Sequence, residues 1–88
     1  MNDNDPNLAG EAMMEIIENQ LADNNPPKVR ATLARLESLG IEHNEAMKYI
    51  ACALSVEIFE IMKNKEKFNA HRYDDNLDHL PDMPWNDD

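Results

Sequence analysis

The stretch HNEAMKYIACALSVEIFEIMKNK, residues 43 to 65, decides the fold of this chain, because it predicts a long helix that is apolar on two sides. Successive residues lie about 100° apart around a helix, which places a first apolar stripe at Met47, Ile50, Leu54, Ile58 and Ile61. A second apolar stripe lies on nearly the opposite side and consists of Tyr49, Cys52, Val56 and Phe59. A helix of this kind is expected to be central, with a neighbour packed against each stripe.

Three further helices are predicted around the central one, which itself is expected over 43–63. Their predicted ranges are 6–22, 27–39 and about 70–80. Asp5 and Asn69 are residues of the type that caps helix N-termini, and Gly40 is a typical left-handed C-cap with Ile41 as its hydrophobic contact. The prolines of ADNNPP (22–27) separate the first two helices, since the residue before a proline disfavours the helical conformation.

Each flanking helix carries apolar residues at helical spacing, which predicts one buried side. These residues are Ala9, Ala12, Met13, Ile16, Ile17 and Leu21 in the first helix, Val29, Leu33, Leu36 and Leu39 in the second, and Tyr73, Leu77 and Leu80 in the fourth. The sequence therefore predicts a single all-α domain over residues 1–88. We expect a small bundle of three main helices, a short fourth helix and an extended acidic C-terminal tail, with residues 1–5 and 82–88 flexible.

The charge of the chain is strongly negative and unevenly distributed. The net charge is −10, with six acids and no Lys or Arg in 1–27, six acids and none in 73–88, and all eight basic residues between 28 and 72. Acidic ends repel a phosphate backbone, so nucleic acid is not an expected partner. They favour solubility, or alternatively form a docking surface for a basic partner. The bases Lys28, Arg30 and Arg35 of the second helix are expected to face the acids of the first.

Composition also restricts the location and chemistry of the chain. No apolar run is long enough to span a membrane, and MNDNDPNLAG (1–10) does not have the basic start and apolar segment of a signal peptide, so we expect a cytoplasmic protein. Cys52 is the only cysteine and lies between Ala51 and Ala53, which favours a small core residue over a nucleophile. Ser38 and Ser55 are the only serines and no Gly-rich phosphate loop is present, so no enzyme activity or cofactor is predicted.

The order of several short motifs resembles a group of small, uncharacterised bacterial all-helical proteins and domains of unknown function. These motifs are NPPKVR (25–30), RLESLG (35–40), EA (45–46), IA (50–51), EIF (57–59), KNKEKF (63–68), RY (72–73), LDHLP (77–81) and PW (84–85). The resemblance covers about two thirds of the chain and implies a cytoplasmic helical protein, without implying an activity. This chain departs from the pattern at Glu42, where the relatives have a Ser-type helix cap.

Glu57 is a candidate buried charge, because it lies within about 40° of the first apolar stripe. A buried carboxylate requires a partner, and Arg30, Arg35 and Arg72 are available. We interpret Glu57 as part of a structural ion pair that keeps the helices in register. Exposure at the edge of the stripe and a role as a catalytic acid are the alternatives.

A second candidate site lies on the predicted fourth helix, where His71, Asp75 and His79 recur one turn apart. Imidazole and carboxylate groups at this spacing can bind a divalent transition metal, with a further ligand such as His43. The competing interpretation is an exposed polar face, which the short, terminal and acidic character of the segment favours.

These observations favour a protein–protein interaction or assembly module that self-associates through its central helix. The predicted partner surface is Tyr49, Cys52, Val56 and Phe59, covered either by the fourth helix, by a second copy in a homodimer or by another protein. The alternatives are a metal-binding protein or metal-dependent enzyme that uses His71, Asp75 and His79, and an acidic regulator of a basic partner.

Overall fold

A computed structural model of the chain describes residues 6–84, and the side chains of residues 10–84. Its helices are α1 (Pro6–Asp23), α2 (Pro27–Ser38), α3 (His43–Asn64) and α4 (Ala70–His79). Between residues 6 and 84 there is no strand, so the prediction of an all-α bundle with a short fourth helix is confirmed. The predicted cap Asp5, Trp85 and most of the predicted acidic tail lie outside the described residues.

Helix α3 lies at the centre of the bundle and packs against α1, α2 and α4. Its buried residues are Ala46, Met47, Ile50, Ala51, Ala53, Leu54 and Glu57. The other helices contribute the rest of one shared core, namely Ile17, Val29, Thr32, Leu36, Tyr73 and Leu77, and Leu80 follows α4. The first apolar stripe of α3 is therefore buried through Leu54, with Ile58 half-buried at its edge.

The connection from α2 to α3 follows the predicted chemistry of helix ends. Gly40 has φ +90°, and the N–H groups of Gly40 and Ile41 donate to the carbonyls of Glu37 at 3.0 Å and Leu36 at 3.2 Å. This pair of hydrogen bonds is the Schellman motif, which requires the left-handed conformation that glycine adopts most easily. The Glu42 carboxylate then caps α3 by accepting from the N–H of Asn44 at 3.0 Å and of Glu45 at 3.3 Å.

The basic residues of α2 bind elsewhere than predicted. Arg35 donates to the carbonyls of Leu80 at 2.7 Å and Leu77 at 2.9 Å, and Lys28 pairs with Asp78 at 3.0 Å, so both attach α2 to the end of α4. Arg30 donates to the carbonyl of Leu21 near the end of α1. The expectation that these bases face the acids of α1 is wrong, because helix C-termini offer carbonyls that have no partner within the helix.

Some residues predicted to be buried are exposed because they lie at helix ends. Leu39 follows the last residue of α2 and is 60% exposed, and every residue from 61 to 71 is exposed, including Ile61 of the first stripe. The last turn of α3 thus extends past the core. Phe68, in the loop after α3, is partly covered and packs edge-to-face on Tyr73, with ring centroids 5.5 Å apart.

Candidate functional site

The second apolar stripe of α3, Tyr49, Cys52, Val56 and Phe59, forms the outward face of the helix. Tyr49, Cys52 and Val56 are half-buried, whereas Phe59 is 56% exposed. Helix α4 packs on another side of α3, since Glu57, which contacts α4, lies about 160° around the helix from Phe59. The fourth helix therefore does not cover the Phe59 end of the outward face.

The N-terminal end of the outward face is partly covered by Met83, which follows α4 and packs against the core. Met83 lines a hollow of about 220 Å³ together with Tyr49, Cys52, Lys48 and Glu45. Partial burial raises the pKa of the Cys52 thiol, which favours the neutral form. Cys52 is thus half-buried on the outward face, whereas the sequence predicts a core residue.

The other end of the outward face opens into a groove between α1 and α3, which we call the α1–α3 groove. It measures about 360 Å³ and is lined by Ala12, Met13, Ile16, Ser55, Ile58 and Phe59. The one hydroxyl in this lining, that of Ser55, donates to the carbonyl of Cys52 at 2.6 Å. The groove therefore presents an almost wholly apolar surface to water.

Sequence reasoning did not identify the contribution of α1 to this surface. Ala12 and Ile16 are predicted as part of the buried side of α1, but both are exposed, Ile16 to 37%. The adjacent residue Ile17 is fully buried instead. The sequence did contain a signal for this exposure, namely the width of the apolar side of α1. Ile16 and Ile17 lie about 100° apart around the helix, so a single neighbouring helix does not cover both. Met62, 71% exposed beyond Phe59, was also missed.

Glu57 is fully buried and forms a two-point ion pair with Arg72 of α4. Its Oε2 accepts from Arg72 Nε at 2.6 Å, and its Oε1 accepts from Arg72 Nη2 at 3.1 Å and from the Asn69 N–H at 2.9 Å. The hydrogen bond to Glu57 raises the pKa of Arg72. Since Asn69 also caps α4, accepting from the Arg72 N–H at 3.0 Å, Glu57 fixes the start of α4 on α3. Each acceptor of Glu57 is occupied by structural donors.

The candidate metal ligands are exposed and only partly brought together. His71 Nε2 lies 3.3 Å from Asp75 Oδ2, but His79 Nδ1 donates to the backbone carbonyl of Asp75 at 2.8 Å. His43 pairs instead with Glu37, with 2.6 Å between Nδ1 and Oε2. Over residues 6–84, no group of three or more His, Cys, Asp or Glu side chains is arranged to hold a metal ion.

Comparisons with protein-family models, with curated proteins and with solved structures find no match to this chain. The resemblance to small bacterial helical proteins therefore stays a prediction from the motifs. In the described part of the chain, no helix has the length and apolar character needed to cross a membrane.

Proposed function

We propose that this chain is a protein–protein interaction module that self-associates through the outward face of α3. The surface consists of Tyr49, Cys52, Val56 and Phe59, continued by the α1–α3 groove. The observation that carries the proposal is the exposure of Phe59 to 56% directly beside an open apolar groove of about 360 Å³. Contiguous apolar surface of this kind on a small protein is typical of an interface.

The apolar groove contrasts with the charged composition of the chain. The chain carries 30% charged residues, yet the lining of the groove contains no charged side chain. Burying Phe59 and its apolar neighbours on association would contribute about 25 cal/mol for each Å² of apolar area removed from water. Burial of the outward face would thus add to the stability of the fold, because the core of an 88-residue chain is thin.

A second copy is the occupant that the chain itself supplies. Most soluble oligomers are symmetric, and a two-fold axis lets a single apolar patch cover itself. The patch runs along α3 from Tyr49 to Phe59, and a helix face of this kind can pack against the same face of a second copy. No ligand or catalytic group is required, because association is the activity.

We expect Val56→Glu to abolish self-association, because it places a carboxylate at the middle of the outward face, where the partner copy would desolvate it. Val56 is half-buried, so the carboxylate remains hydrated in the monomer. Light scattering coupled to size exclusion should show the mass change from a dimer to a monomer. Circular dichroism should show that the variant remains helical.

The matched control is Ala34→Glu, which adds the same charge at an exposed position of α2. This variant is expected to associate like the unmodified protein. A Val56→Glu protein that is folded and has the same mass as the control would show that the outward face is not the interface.

A further inference from the structure

We propose that the self-associated pair is held in register by charge: the basic segment 63–67 of each copy lies against the acidic edge of α1 of the other copy. This inference rests on the proposed self-association and specifies which surfaces meet at its rim. In this arrangement Phe59 and Met62 of each copy enter the α1–α3 groove of the other. In a single molecule the acidic edge belongs to α1 and the basic segment begins on α3, the two helices that line the groove.

The basic segment contains Lys63, Lys65 and Lys67, all of them exposed. Lys63 lies one helical turn beyond Phe59, so the segment begins directly at the edge of the apolar surface. The acids near the segment are occupied, since Glu66 pairs with Arg72 at 3.6 Å and Glu60 accepts from Asn64 at 2.6 Å. None of these lysines forms an ion pair with any residue between 6 and 84.

The acidic edge of α1 contains Glu11 and Glu15, one turn apart and exposed. With Ala12 and Ile16 they line a hollow of about 390 Å³. Ala12 and Ile16 also line the α1–α3 groove, so the glutamates lie on the rim of the apolar surface. Neither glutamate has an ion-pair partner within residues 6–84.

The molecule thus carries, beside one apolar groove, a basic segment and an acidic edge that have no ion-pair partner among residues 6–84. By contrast, Lys28 and Lys48 have acidic partners within the fold, at 3.0 Å and 3.3 Å. A two-fold pair supplies both contacts twice, because each copy contributes a basic segment and an acidic edge. Complementary rims of this kind fix the orientation of a complex and exclude wrong partners.

A second copy of the chain fits the apolar groove and its charged rim better than an anionic surface such as a layer of phospholipid headgroups. The three lysines would attract such a surface, but Glu11 and Glu15 lie on the same rim and would be repelled by it. A second copy presents both signs of charge, so each rim finds its complement.

The test uses two charge-reversed versions of the full chain. The acidic version carries Lys65→Glu and Lys67→Glu, both in the loop after α3, and the basic version carries Glu11→Lys and Glu15→Lys. Each version alone places like charges at both rims of a homodimer. We expect its dimer dissociation constant to rise about tenfold or more at low salt, with the increase reduced at 0.5 M salt.

An equimolar mixture of the two versions is the decisive sample. In a heterodimer, the acidic loop faces the basic α1 and the acidic α1 faces the basic loop, so every rim contact is complementary. Native mass spectrometry should therefore show heterodimers clearly above the share that random pairing of the two versions gives.

The outcomes separate this inference from the proposed function. If the unmodified chain is dimeric and both reversed versions dimerise equally well, or mix at random, the rim assignment is wrong and self-association stands. If the unmodified chain is monomeric at every concentration, the proposed function is wrong and the rim assignment with it. The third outcome concerns a lipid surface. If the unmodified chain sediments with anionic phosphatidylglycerol vesicles, and the acidic version loses this binding without any change in dimerisation, the basic segment binds lipid and not a second copy.

Discussion

Replacement of Glu57 by alanine is expected to lower the free energy of unfolding by about 2 to 4 kcal/mol, because it removes three hydrogen bonds to a fully buried carboxylate, while the remaining Arg72 side chain is partly exposed to water. The change removes both hydrogen bonds to Arg72 and leaves the Asn69 N–H at the start of α4 without its acceptor. A loss of this size lowers Tm by about 8 °C or more in a domain of this length. Thermal unfolding followed by circular dichroism measures it.

Glu60→Ala is the matched control for Glu57→Ala, since Glu60 lies on the same helix and accepts only an exposed hydrogen bond from Asn64. Its effect is expected to stay within about 0.5 kcal/mol. Glu57→Gln should destabilise less than Glu57→Ala, because the amide oxygen can still accept from Asn69. A Glu57→Ala protein with the Tm of the Glu60→Ala control would contradict a stabilising ion pair.

Tyr73→Ala is expected to lower the free energy of unfolding by about 3 to 5 kcal/mol, because it leaves a cavity in place of a large, fully buried side chain. Tyr73→Phe separates packing from the hydroxyl, which donates to Gln20 Oε1 at 2.9 Å. Loss of that hydrogen bond is worth about 0.5 to 1.5 kcal/mol. Urea unfolding of the two variants should rank them in this order. Equal losses would show that the ring contributes little to the core.

The hydroxyl of Tyr73 also predicts a dependence of stability on pH. Burial raises the pKa of Tyr73 well above its ordinary range, because the phenolate is poorly solvated in the core. A raised folded-state pKa stabilises the fold fully below the unfolded pKa of about 10, and this stabilisation is lost as the pH rises above that value. The Tm of the unmodified chain should fall more steeply above pH 10 than that of Tyr73→Phe. Parallel curves would contradict the burial of the hydroxyl.

The helices could be predicted from the sequence because the signals at their ends are local. Gly40 ends α2 through its own left-handed conformation, and Asn69 caps α4 by accepting from the N–H of a residue three positions later. Each helix end therefore depends on a few adjacent residues. The length and apolar character of α3 also indicated its central position, although its second stripe faces outward and does not pack fully against a neighbouring helix.

The contacts between helices were harder to predict, because they depend on how the elements are placed. Arg35 was a possible partner of Glu57, but it reaches the carbonyls of Leu77 and Leu80 instead. Nothing near Arg35 in the chain indicates that the end of α4 comes within its reach. The exposure of Ile16 has the same origin. The spacing of apolar residues shows that one side of α1 is apolar, but it does not show how much of that side the neighbouring helix covers.

The most direct test of self-association is the molar mass of the unmodified 88-residue chain in solution, measured by light scattering coupled to size exclusion over a range of concentrations. Burial of Phe59 and the α1–α3 groove against a second copy predicts about twice the chain mass of 10.1 kDa at high concentration, falling toward the single-chain value on dilution. A mass of one chain at every concentration would contradict the proposal.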